Sequence, residues 1–209
     1  MKEQIIDIKP LEIKEIEVTI RGKSPLIVHN FDEKTKRQIL ETQQKKATSV
    51  KPIRNPQEEF MRSLHWLTDM PEEFTEEAMQ EAIDNGAKFG FPADGLKASI
   101  VSGAYRNKLT KDQVSIRGAF NIMGEFIEIE GVPVMRNDKV RIAKGATDLR
   151  FRAEFKEWQS TFKLQYVENT YSLEQILNFI NIGGFSVGIG DWRVEKGGPF
   201  GTYEVVGND

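Results

Sequence analysis

A chain of 209 residues has room for one sizeable core, or for one core carrying a large insertion. With 39% hydrophobic and 29% charged residues and no apolar run long enough to span a bilayer, it reads as a soluble protein, and Met1 to Ile5 lack the apolar stretch of a secretion signal. The absence of cysteine excludes disulfides and thiolate metal sites and suits a reducing cytoplasm, while a net charge of −3 excludes wholesale electrostatic coating of a polyanion.

Glu15 to Ile20 alternates, with Ile16, Val18 and Ile20 on one side and Glu15, Glu17 and Thr19 on the other, which predicts a half-buried strand. Leu11 and Ile13 carry the opposite phase, so a bulge or break is expected near Lys14. Gly22 and Pro25 interrupt the pattern before the apolar run Leu26-Ile27-Val28, and His29 stands just beyond it. Asp32 to Lys46 reads as a polar helical arm with Ile39 and Leu40 as its strongly apolar residues, followed by a basic linker from Thr48 to Arg54. Asn55 as N-cap, Pro56 at N1 and Glu58 at N3 open a helix whose buried stripe would be Phe60, Met61, Leu64 and Leu67. His65 falls in that helix and reads as structural. A short acidic helix is expected from about Thr75 to Ile83, ended by Asp84-Asn85-Gly86. Residues of about 30–88 thus read as an arm or insertion in a single domain spanning the chain.

Phe91-Pro92-Ala93-Asp94 leads into a helix capped by Asp94, with Leu96, Ile100, Val101 and Ala104 on one face. Residues 107–125 show no clear period, and Phe126–Ile129 with Val132–Met135 predicts a hairpin turning at Glu130-Gly131. Arg150 to Trp158 alternates Phe151, Ala153 and Phe155 against Arg150, Arg152, Glu154, Lys156 and Trp158. Thr161 to Val167 alternates Phe162, Leu164 and Tyr166 against Lys163, Gln165 and Val167. Ser172 and Gln175 form a capping box for a helix with core stripe Leu173, Ile176, Leu177 and Ile180, stopped by Gly183. Phe200 to Val206 reads as the last strand.

Without the arm and insertion, the order is strand, helix, two strands, helix, strand. That is the α+β, ferredoxin-like βαββαβ order, RRM-like in its open sheet face. Arg150, Arg152, Lys156 and Trp158 would share that face on a central strand, offering cations to phosphates and an aromatic to a base. An amphipathic strand whose polar face simply meets water gives the same pattern. Likewise, the basic clusters Lys34 to Arg54 and Arg136 to Arg152 read either as local polyanion contacts or as solvated surface.

Gly183 to Gly201 places seven glycines in nineteen residues, with Trp192, Arg193 and Lys196 among them. Bare backbone lets a chain approach a bulky ligand and turn its amides toward phosphate oxygens; a hairpin loop needing positive φ is the other reading. A dinucleotide fingerprint is excluded, because a helix precedes and a strand follows, and Arg193 stands where a third glycine would be. No Walker A sequence is present.

Gly188-Ile-Gly190, then Gly198-Pro-Phe-Gly201 and Tyr203-Glu-Val-Val, resembles the C-terminal glycine-rich loop of the RAMP superfamily. These are the ferredoxin-like RNA-binding subunits and processing ribonucleases of CRISPR systems. Phe91-Pro-Ala-Asp-Gly-Leu-Lys-Ala-Ser-Ile resembles the start of the first helix in the backbone subunits, and Gly22-Lys-Ser-Pro-Leu-Ile-Val-His29 resembles the loop after their first strand. Ala93-Asp94-Gly95 departs from the usual small-residue run and the glycine loop is long, as in a divergent, phage-encoded relative.

The resemblance implies a non-catalytic protein that binds single-stranded RNA or DNA without a cofactor, assembling along the strand as a homo-oligomer or within a CRISPR-type complex, away from membranes. Arg150, Arg152, Lys156, Trp158, Trp192, Arg193 and Lys196 would carry binding, with Gly188, Gly190, Gly198 and Gly201 shaping the loop. One alternative is a metal-independent endoribonuclease using His29, with Asp32 the other catalytic candidate the resemblance offers. Another is an interaction protein that mimics a CRISPR effector subunit, which the acidic balance suits. No metal-ligand spacing and no Ser/His/Asp arrangement is legible.

Overall fold

The computed structural model describes residues 11–30, 40, 54–141 and 147–207. The expected arm from Asp32 to Lys46, apart from Leu40, lies outside them, as do Asp32 itself and the linker before Arg54.

β1 (Ile13–Gly22) buries Val18 and Ile20 and exposes Glu15 and Glu17, as the alternation requires. The expected break near Lys14 is absent, because β1 pairs without interruption from Ile13↔Val167 to Arg21↔Gln159. β2 (Leu26–Val28) is fully buried. α1 (Pro56–Ser63) opens on the Asn55 cap, whose side chain accepts from the amides of Gln57 and Glu58. It ends before Leu64, so His65 lies not on a helix but on β3 (His65–Trp66). α2 (Glu76–Asp84) is the acidic helix, capped by Thr75.

β4 (Phe89–Pro92) runs directly into α3 (Ala93–Arg106), whose N-cap is Pro92; Asp94 sits inside the first turn and does not cap it. α4 (Gln113–Ala119) and β5 (Phe120–Ile122) fill the stretch that showed no period. Next come β6 (Phe126–Ile129), β7 (Pro133–Arg141), β8 (Thr147–Phe155) and β9 (Gln159–Val167). α5 (Leu173–Ser186) carries the capping box, and β10 (Tyr203–Val205) ends the described fold.

Antiparallel pairs build three sheets: a four-stranded one ordered β10-β1-β9-β5, and two of three strands ordered β2-β8-β7 and β3-β4-β6. Along the chain the strands of the four-stranded sheet come in the order β1, β5, β9, β10, with α3 among the elements between β1 and β5 and α5 between β9 and β10. Two expectations are therefore corrected. The second strand of that sheet is the short β5, while Arg150 to Phe155 belongs to β8, the middle of a different sheet. The hairpin at Glu130-Gly131 does not form, because β6 pairs with β4 and β7 with β8.

α3 and α5 touch through glycine. A Cβ on Gly183 would lie 2.8 Å from Ile100 Cα, and one on Gly103 would lie 2.6 Å from Gly183 Cα. Gly183 therefore does not stop α5; it lets the two backbones meet, and the helix continues to Ser186. The Ser99 hydroxyl seals the crossing, 3.2 Å from the Gly183 carbonyl and 3.1 Å from the Tyr203 hydroxyl. No helix among the described residues is long and apolar enough to cross a membrane.

Candidate functional site

The segment after α5 folds back over β2. Gly188 and Gly190 take φ of +73° and +80°, a region closed to most side chains, and a Cβ on Gly190 would overlap the Ile27 carbonyl. Asp191 N donates to the Ile27 carbonyl at 2.8 Å, and Gly201 N to the Pro25 carbonyl at 2.8 Å. The amides of Gly188, Gly197 and Gly198 donate to carbonyls within the same chain region. The amides of Gly188, Gly197, Gly198 and Gly201 are thus engaged within the chain and not turned toward a ligand; these glycines shape the loop, and its charges come from side chains.

Between this loop, the ends of β2 and β3, the start of α3 and the face of α4 lies an open cleft of about 1040 Å³. Lys97 reaches it from α3, Arg117 from α4, and Arg193 and Lys196 from the loop. Arg193 is neutralised by Glu195 at 2.6 Å, and Glu195 is also paired with Arg106. Burial works against the Glu195 charge, but Arg193, Arg106 and Lys196 hold its carboxyl below the ordinary range. Lys97, Arg117 and Lys196 are different. Lys97 Nζ donates to the Asn121 side-chain oxygen at 2.8 Å, Arg117 donates to Gln113 Oε1 at 2.9 Å, and none of the three is ion-paired among the described residues. Burial lowers the Lys97 pKa, so its charge sits partly desolvated, with no ion-pair partner among the described residues.

Both histidines of the chain line this cleft. His29 Nδ1 stands 3.5 Å from Asp191 Oδ2. Burial and the nearby His29 both lower the pKa of His65. Burial also disfavours the Asp191 charge, but hydrogen bonds from His29 and Arg152 overcome it and keep the carboxyl below its usual value.

Arg152 joins the cleft to the β7–β8 pair. It donates to Asp191 at 2.7 Å and to Asp138 at 2.6 Å, while Arg136 bonds Asp138 and Glu154, each at 2.8 Å. Its side chain is 9% exposed, so it is a buried tie and not an open phosphate contact. Trp158 is also buried, with its indole N–H on the Ser24 carbonyl at 2.9 Å, and presents no stacking face. Arg150 and Lys156 remain exposed, and Trp192 is half exposed on the loop. The polar side of β8 is therefore closed at Arg152, where Asp191 of the glycine loop meets it, and exposed at Arg150.

No protein-family model matches the sequence, and no curated protein does. Among solved structures, the chain is similar to Cmr6 from Pyrococcus furiosus. The likeness covers 94% of this chain and 100% of that one, with 12% identity and a TM-score of 0.38.

Sequence reasoning gave no site role to Lys97, Arg117 or Asp191, read His65 as structural, and met Arg136 only as the start of a basic cluster. Lys97 stands inside the proline-led motif at the start of α3, which was a usable signal. The others reach their places through contacts distant in sequence and left no local mark. Among the described residues, no cluster of three or more His, Asp or Glu could hold a metal ion.

Proposed function

We propose that this is a RAMP-like, non-catalytic protein that binds single-stranded RNA or DNA, with the sugar–phosphate backbone lying in the cleft beneath the glycine loop. The order β10-β1-β9-β5, with α3 from the connection between β1 and β5 packed against α5 from the connection between β9 and β10, supports reading that sheet as a ferredoxin-like unit. The observation that carries the function is the trio Lys97, Arg117 and Lys196, cations around one cleft, none of them in an ion pair among the described residues. A phosphodiester supplies the missing counter-charge, most of all to the partly desolvated Lys97. Copies assembling side by side along the strand belong to the same reading, on the strength of the sequence resemblance.

The test is fluorescence anisotropy with labelled single-stranded RNA and DNA at low salt. Binding that weakens with salt and drops in Lys97→Ala combined with Lys196→Ala supports the proposal. No binding at low salt overturns it, and co-purification with a protein complex but no nucleic acid would then favour the subunit-mimic alternative. Particle size with and without the strand tests the assembly.

The presence of both histidines in the cleft favours one second reading, a metal-independent ribonuclease. One imidazole would accept the 2′-hydroxyl proton as that oxygen attacks the adjacent phosphorus. The other would give a proton to the departing 5′-oxygen, leaving a cyclic phosphate. Cleavage of RNA in EDTA, abolished by His29→Ala, establishes this reading; an intact RNA after prolonged incubation removes it.

A further inference from the structure

The glycine-rich segment has two faces, and the cleft uses only one. Asp191, Arg193, Glu195 and Lys196 line the cleft, whereas Trp192 and Phe200 do not. Trp192 has φ of 52°, in the left-handed region that bulky residues rarely adopt. Even so, half of its surface is exposed to solvent.

Its setting is built rather than loose. The bare backbone of Gly198 lies against the indole, so close that a Cβ there would overlap Trp192 Cδ1. The Phe200 ring stands beside it with centroids 5.7 Å apart and planes tilted by 44°. The Arg136 guanidinium lies 4.7 Å from the Phe200 centroid and is itself fixed by Asp138 and Glu154. The row Trp192, Phe200, Arg136 is thus braced from β7. The other two tryptophans are engaged elsewhere, Trp158 in the core and Trp66 on the Met61 carbonyl and the Phe89 ring.

We infer that Trp192, with Phe200 beside it, is a stacking step for one unpaired base of a strand whose phosphates occupy the cleft. The inference rests on the cleft reading above. Trp192 lies in sequence between Asp191 and Arg193, which line the cleft, so a strand that leaves the cleft across the loop meets the indole on the loop's other face. An indole flanked by Asp191 and Arg193, with Arg136 one ring away, suits a nucleobase, whose flat face is apolar and whose rim is polar, better than an aliphatic side chain. Every base has such a face, so the step senses that a base is present and unpaired and does not read its identity.

The test compares a labelled oligothymidylate with an abasic strand of equal length, which keeps the phosphates and lacks the bases. The intact strand is expected to bind about ten times more tightly and to quench tryptophan emission; the abasic strand should bind with the same salt dependence and no quenching. Trp192→Asn, which removes the ring and tolerates left-handed φ, is expected to lose about tenfold in affinity for the intact strand only, with no fall in thermal stability. Trp192→Tyr should keep most of the affinity. Equal binding of intact and abasic strands, or wild-type affinity in Trp192→Asn, overturns the stacking step and leaves the cleft standing. Binding of neither strand at low salt overturns the cleft reading and this inference together.

Discussion

His65 is half-buried beside His29, and both features favour its neutral form. Its folded pKa therefore lies below the ordinary 6.5 that it regains on unfolding. As pH falls below that value the unfolded chain takes up the proton first, so stability is complete above it and declines toward the folded pKa. Thermal unfolding followed from about pH 7.5 down to pH 5 should show a falling midpoint, and His65→Gln should flatten part of the decline. A midpoint in His65→Gln that falls as steeply as wild type would mean that another group dominates. The buried tie between β7 and β8 carries a second expectation. Asp138 accepts from both Arg136 and Arg152, and its side chain is 10% exposed. Asp138→Ala leaves Arg152 with Asp191 alone and should cost about 3 kcal/mol in denaturant unfolding.

At the scale of elements, glycine at a helix crossing and glycine on an open helix face should respond in opposite directions. Gly183→Ala drives a Cβ into the Ile100 backbone, which is not the end of a flexible side chain, so α3 and α5 must separate; a loss of about 2 kcal/mol is expected. Gly118, in α4, meets nothing within 4 Å, and Gly118→Ala should stabilise by about 0.5–1 kcal/mol through reduced unfolded-state freedom. The same contrast explains what was legible beforehand. β1, β9 and α5 declare themselves because their alternation and capping box are local, each fixed by residues a few positions apart. Three-residue β5 is too short to show a period, so its place in the sheet was taken by the longer β8. Gly183 looked like a stop because glycine ends many helices, and only its neighbour across the crossing, Gly103, reveals the other use. The polar side of β8 looked open at Arg152 because what closes it there, Asp191, lies 39 residues further on. Local pattern identifies elements; it cannot say which face a distant loop will close.

Over the whole molecule, a net charge of −3 means the general field repels a polyanion, so any attraction has to be local. The acidic helix α2 lines no part of that cleft, whereas Lys97, Arg117 and Lys196 face it without an ion pair among the described residues. Three phosphate contacts on a single strand release counterions with a slope of about −0.7 each, so log affinity against log salt should fall with a slope of about −2. Lys97→Ala and Lys196→Ala should each make that slope shallower by about 0.7. Arg193→Ala should change it less, because the Arg193 charge is already matched by Glu195. Glu195→Gln is the sharper probe: of the two arginines it releases, Arg193 lines the cleft and Arg106 does not, so binding should tighten while the slope steepens by about 0.7. A slope near zero, or one indifferent to Lys97 and Lys196, would mean that the cations of the cleft do not meet phosphate. Exposed Arg150 and Lys156 provide the comparison, since they lie on and just after β8 and line no part of the cleft. If their removal rather than that of Lys97 flattens the slope, the strand runs over the β7–β8 sheet, and the glycine loop borders its path instead of covering it.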